Sequence, residues 1–137
     1  MWLGLETSYA AVQARSDPTD GQGPEDERSH KLRKRVKDLR YQLEFLDTGH
    51  PELGGLVRDL HHLTDLLGDR NDLAVFTEAA TTTHVLSEME RSALRACVED
   101  KKQALGSEAR ALSARLFDED VDSFVLRVAE WVVQPQG

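Results

Sequence analysis

Leu53, Leu56, Val57, Leu60, Leu63, Leu66 and Leu67 recur at steps of three and four, the spacing that keeps apolar side chains on one face of an α-helix. Leu32, Val36, Leu39, Leu43 and Leu46 repeat the pattern with a 4-3-4-3 step one segment earlier. No useful length of chain alternates with period two, so nothing predicts a half-buried strand. Leu, Ala, Glu and Arg dominate and isoleucine is absent, a mixture that loses little rotamer freedom in a helix. A chain of 137 residues suits one domain with one core. The expected class is all-α, an antiparallel bundle of about five to seven helices joined by short loops.

Punctuation along the chain sets the expected boundaries. A first helix spans Leu3 to Arg15, with Leu5, Tyr9 and Val12 on one side. Residues 16–23 read as a flexible linker, because Pro18, Gly21 and Gly23 break any periodicity. Pro24 suits a first helical position, and Glu25, Asp26 and Glu27 place acids where the helix dipole favours them. That second helix runs to about Asp47, with Gly49 to cap it and Pro51 to restart the chain. Gly68 is expected to interrupt the third helix, with Asp69 to Asp72 opening a fourth that fails near Thr81–Thr83. Ser87 and Glu90 form a capping-box pattern for a fifth helix ending at a Gly106-Ser107 hinge. Helices from Glu108 to Phe117 and from about Val121 to Val133 complete the chain.

Charge is segregated. The whole chain carries −8, yet residues 28–40 hold seven Lys/Arg and one acid, Asp38; this stretch is +6 and the remainder −14. On a helical wheel His30, Arg33, Lys34, Lys37 and Tyr41 gather opposite the leucine stripe, with Arg40 at the margin. Lys31 and Arg35 flank the stripe and are expected to snorkel. A merely solvated face usually mixes signs, because like charges at i,i+4 repel by a few tenths of a kcal/mol. Cations this dense predict an anion among them, and a local positive field on an acidic body is a docking surface for a polyanion. His30 adds a donor that gains charge in acid, and Tyr41 a hydroxyl.

Other chemistries find less support. His61 and Asp65 share a helix face with His62 or His50 near, but two ligands without a third at defined spacing predict surface histidines, not a metal site. Gly54-Gly55 and Gly68 lack the spacing and Lys-Ser/Thr ending of a phosphate loop. No enzyme and no cofactor are expected. No apolar run approaches the ~18 residues of a membrane span, and Met1–Glu6 lacks the basic start of a signal peptide. A single cysteine, Cys97, forms no intramolecular disulfide, so a reducing, cytoplasmic location is expected.

Residues His30 to Glu44, HKLRKRVKDLRYQLE, resemble the signature helix of CHAD domains, the conserved-histidine α-helical domains. Leu66 to Val75, LLGDRNDLAV, resembles the second motif, and Leu116-Phe117 followed by Phe124 and Trp131 a weaker third. The resemblance implies an all-helical fold whose basic faces bind inorganic polyphosphate, without catalytic activity. Carried over residue by residue, it places His30, Arg33, Lys34, Lys37 and Arg40 at polyphosphate-facing positions, and Tyr41 at a typical family tyrosine. Asp69 and Asp72 match acidic positions, implying helix capping or orientation of a basic side chain. A full CHAD domain has two related helical halves; residues 1–137 resemble the C-terminal one, a single truncated domain, with Gly4 to Tyr9 matching the helix that precedes it. The chain departs from the family at Ala10–Ala14, where arginines are usual, at Arg70, where histidine is frequent, and at Val132-Val133. The expectation is a non-catalytic polyphosphate-binding module associated with polyphosphate granules, with a homodimer or a protein partner completing the bundle. The alternative is a degenerate half-domain serving as a helical protein–protein interaction or structural module that binds no polyphosphate. Nucleic acid is disfavoured by the −14 elsewhere and by the lack of aromatics among the basic residues.

Overall fold

In the computed structural model, which describes residues 2–16 and 24–134, there are five α-helices and no strand among the described residues. They are α1 (Trp2–Ser16), α2 (Glu25–Leu46), α3 (Pro51–Thr82), α4 (Glu88–Leu116) and α5 (Val121–Val133). Ser16 closes α1, and the remainder of the expected linker, 17–23, lies outside the described residues.

The breaks expected at Gly68 and at Gly106-Ser107 are not there, and α3 and α4 run straight through them. A side chain on Gly68 would place its Cβ 3.1 Å from Arg33 Nε, and one on Gly106 would meet Arg110 Nη1 at 3.4 Å and Arg70 Nε at 3.6 Å. Glycine at 68 lets the Arg33 guanidinium pass close to the helix backbone, whereas the neighbours of Gly106 stand at ordinary contact distance; at both positions the surrounding packing overrides glycine's poor helix propensity. Asp69 and Asp72 consequently sit inside α3 and cap nothing. Gly54 has no such duty: an added Cβ would meet Arg58 at an ordinary 3.6 Å. Gly54→Ala is therefore expected to raise stability by about 0.5–1 kcal/mol, read as a higher midpoint in urea unfolding.

The remaining boundaries follow local chemistry. Ser87 and Glu90 form the complete capping box, Ser87 Oγ accepting from Glu90 N at 3.1 Å and Glu90 Oε1 from Ser87 N at 3.1 Å. Asp120 caps α5 by accepting from Ser123 N at 2.7 Å. Gly49 takes φ +103°, the left-handed turn between α2 and α3. Neighbours across the bundle run antiparallel: Arg40 meets Thr64 and Arg70 meets Asp26 between α2 and α3, while Asp59 meets Arg115 and His62 meets Glu108 between α3 and α4.

The leucine stripes meet in one core. Val36, Leu39 and Leu43 of α2 pack with Leu53, Leu60 and Leu63 of α3, all without exposed surface. α1 contributes Leu5, Tyr9 and Val12, and α5 contributes Phe124 and Val128. Tyr9 stacks on Phe124 at 4.0 Å between centroids and meets Phe117 edge-on at 6.0 Å. Its hydroxyl donates to the Glu119 carbonyl at 2.7 Å, which also accepts from Gln13 Nε2 at 2.8 Å. Burial, reinforced by the charges of Glu119 and Asp118, pushes the phenol up to about 12.

Because the folded value exceeds the unfolded one, Tyr9 lends stability that is complete below pH ~10 and is lost as pH rises toward ~12. Tyr9→Phe should cost only about 1 kcal/mol at neutral pH, since Gln13 still serves the carbonyl, and should flatten alkaline unfolding. Unfolding followed at neutral pH and across pH 10–12 checks both halves.

Beyond Arg70 the α3–α4 hairpin leaves the core: no residue between Arg70 and Val98 is buried. What fixes its root is ionic. Arg70, only 4% exposed, pairs with Asp26 at 2.7 Å and Glu25 at 3.5 Å. Lys102 of α4 reaches Asp26 at 3.0 Å, and Arg110 reaches Glu25 at 3.5 Å. The acidic first turn of α2 thus ties three helices together.

A candidate polyanion groove beside the basic helix

Four apolar positions of α2 (Val36, Leu39, Leu43 and Leu46) are buried, so helical geometry decides where its cations point. They divide into two shoulders and a crest. Arg33 and Arg40 lie on the shoulder facing α3. Arg33 Nε donates to the Thr64 carbonyl at 3.3 Å, and Arg40 Nη1 to Thr64 Oγ1 at 3.2 Å. Arg40 also pairs with Glu44 at 3.5 Å and lies over the Tyr41 ring, 5.0 Å from its centroid. Thr64 is buried and donates in turn to the His61 carbonyl at 2.7 Å. Arg33 also borders a small depression whose other walls include Asp65, Asp69 and Asp72, an environment hostile to an anion.

Lys34 and Lys37 stand on the crest, and neither forms an ion pair among the described residues. Together with Lys31 and Arg35 of the opposite shoulder they line an open groove of about 460 Å³. Arg15, from the last turn of α1, forms its far wall, and Tyr41, 49% exposed, forms one end. Among the described residues the sole acid lining it is Asp38, 3.8 Å from Arg35. Lys31 is half engaged with Glu27 at 3.2 Å. Five cations against one carboxylate among the described residues give the groove a positive potential that low-dielectric walls on both sides concentrate.

Of the six residues expected at the site, the structure brings Lys34, Lys37 and Tyr41 together on the groove. It directs Arg33 and Arg40 toward α3, and leaves His30 exposed outside the groove lining. Arg15, Lys31 and Arg35 join the groove without having been expected there. For Lys31 and Arg35 the signal was present, since both belong to the same basic run and only their proximity to the apolar stripe argued them away. Arg15 was legible only as a lone cation closing another helix.

Comparison with known proteins bears on the same helices. The family model described as CHAD domain matches residues 4–81, a span that takes in almost all of α1, all of α2 and nearly all of α3. No curated protein and no solved structure matches the chain.

Proposed function

The chain belongs to the CHAD-domain family, and on that premise we propose that it binds inorganic polyphosphate along the α1–α2 groove, as a non-catalytic module of the cytoplasm. The observation that carries the proposal is the pair Lys34 and Lys37, without an ion pair among the described residues on the crest of α2 and faced by Arg15 across a groove whose one acid among those residues is Asp38. A flexible chain of singly charged phosphates fits such a surface: its oxygens accept from ammonium and guanidinium groups, and its condensed counterions are released on binding. Tyr41 supplies a hydroxyl at the groove end. Arg33 and Arg40 act as positioning residues that fix α2 against Thr64, holding the crest at a set height above α3.

The test compares long-chain polyphosphate, single-stranded RNA and duplex DNA at two salt concentrations. With about five cations engaged, polyphosphate affinity should fall about a hundredfold between ~50 and ~200 mM salt. Polyphosphate should bind more tightly than either nucleic acid, since the −14 carried by the rest of the chain repels a bulky duplex. Duplex DNA binding as tightly as polyphosphate, or an affinity indifferent to salt, would contradict the proposal.

A further inference from the structure

A second basic site lies behind the groove. Where the end of α1 and the start of α2 cross α3 and α4, a cavity of about 310 Å³ opens, a size at the lower end for small-ligand pockets. Arg15, Arg28, Arg70 and Arg110 surround it; among the described residues the carboxylate in its lining is Glu25, which Arg70 and Arg110 hold at 3.5 Å each, and Arg70 also pairs with Asp26 at 2.7 Å. Leu32, Leu67 and Ala109 of the core provide its apolar lining.

Two hydroxyls distinguish this cavity from a surface cluster of arginines. Ser113, 3% exposed, and Ser29 both line it, and the Oγ atoms of both are buried without a hydrogen-bond partner. A helical serine ordinarily satisfies its hydroxyl on the carbonyl one turn back, and a buried hydroxyl left alone costs about 1–3 kcal/mol. Donors without acceptors beside several guanidinium groups describe the complement of an oxyanion rich in acceptors and poor in protons.

We infer that this cavity receives a terminal phosphate group, supplied either by free phosphate or pyrophosphate or by the end of a polyphosphate chain. An end unit carries three non-bridging oxygens and up to two charges, whereas an interior unit carries two and one and must continue in both directions, which a cavity backed by core leucines does not allow. Arg15 lines both the cavity and the groove, so a chain lying along α2 can turn its end inward past that residue. The chain-end form rests on the polyphosphate reading above; the phosphate site itself does not.

Calorimetry with linear tripolyphosphate, cyclic trimetaphosphate, pyrophosphate and inorganic phosphate tests the assignment on the intact chain. The linear ligand has ends and the cyclic one has none, so the parent should prefer the linear form by about tenfold. Ser29→Ala/Ser113→Ala, which removes the hydroxyls and keeps every charge, should reduce that preference severalfold. Arg110→Gln, at the exposed rim, should do the same if the serine variant proves unstable. Amide shifts of Ser29 and Ser113 should move on adding pyrophosphate. Equal binding of the linear and cyclic forms by the parent, or a preference unchanged in these variants, overturns the inference. Affinity rising from phosphate to tripolyphosphate assigns a chain end, and equal affinities assign free phosphate; either supports the site. Lys34→Glu/Lys37→Glu should retain the linear-over-cyclic ratio. Long-chain binding that ignores this variant would defeat the groove and leave the cavity standing.

Discussion

Lys34→Glu/Lys37→Glu is expected to weaken long-chain polyphosphate binding by about a hundredfold or more, with the fold unchanged. Each lysine offers a charge-assisted hydrogen bond worth about 1.5–3 kcal/mol, and reversal adds repulsion to the loss. Neither side chain has an ion pair to forfeit among the described residues, so thermal unfolding should move by less than about 1 kcal/mol. Relief of the like-charge contact between neighbouring cations works in the variant's favour. Lys31→Ala should do far less, because Lys31 already shares its charge with Glu27 at 3.2 Å. The contrast between Lys31, paired, and Lys34 and Lys37, without an ion pair among the described residues on the same helix, separates a binding groove from a diffuse basic surface. Affinity by fluorescence titration and stability by thermal melt are the two readouts.

Arg70→Ala should produce the largest loss of stability, about 2 kcal/mol, or a fall in Tm of about 8 °C. The guanidinium is buried, but Asp26 and Glu25 are half exposed, so water takes up the abandoned carboxylates and the loss stays below the 3–5 kcal/mol typical of a fully buried pair. The effect should depend on acid. Burial works against ionisation of Asp26, yet the hydrogen bonds from Lys102 and Arg70 outweigh it and hold the carboxyl below its usual range. A depressed folded value means the clamp contributes fully above the ordinary carboxylate pKa and fades as pH falls through the depressed one. The difference between parent and Arg70→Ala should accordingly narrow under acid. A gap that stays constant from neutral pH to pH ~3 would show that Arg70 acts through packing alone.

Why some of this was legible and some not can be seen residue by residue. The helices packed in the core were readable because one physical rule, apolar recurrence at three and four, governs them, and because Ser87-Glu90 and Gly49 are local signals with local causes. Gly68 and Gly106 misled for the opposite reason. Tertiary packing carries both helices through these glycines, and at Gly68 the side chain that passes close, Arg33, lies more than thirty positions away in sequence. The basic helix was visible as a charge run, and its crest, Lys34, Lys37 and Tyr41, emerged from the wheel. The wheel gives an angle on one helix and says nothing of what stands opposite. It could not show that Thr64 would engage Arg33 and Arg40, or that Arg15 would close the groove from α1. Nor does any pattern in the sequence mark Ser29 and Ser113 as sharing one cavity, since three helices must pack before they face each other.

Position decides between a polyphosphate groove and a helix that is merely basic, and amide chemical-shift mapping reads position directly. On titration with long-chain polyphosphate, the largest shifts should cluster at Lys31, Lys34, Arg35, Lys37 and Tyr41 of α2 and at Arg15 of α1, and should fade together as salt is raised. Shifts scattered over the surface, concentrated on the distal α3–α4 hairpin, or absent at low salt would contradict the account.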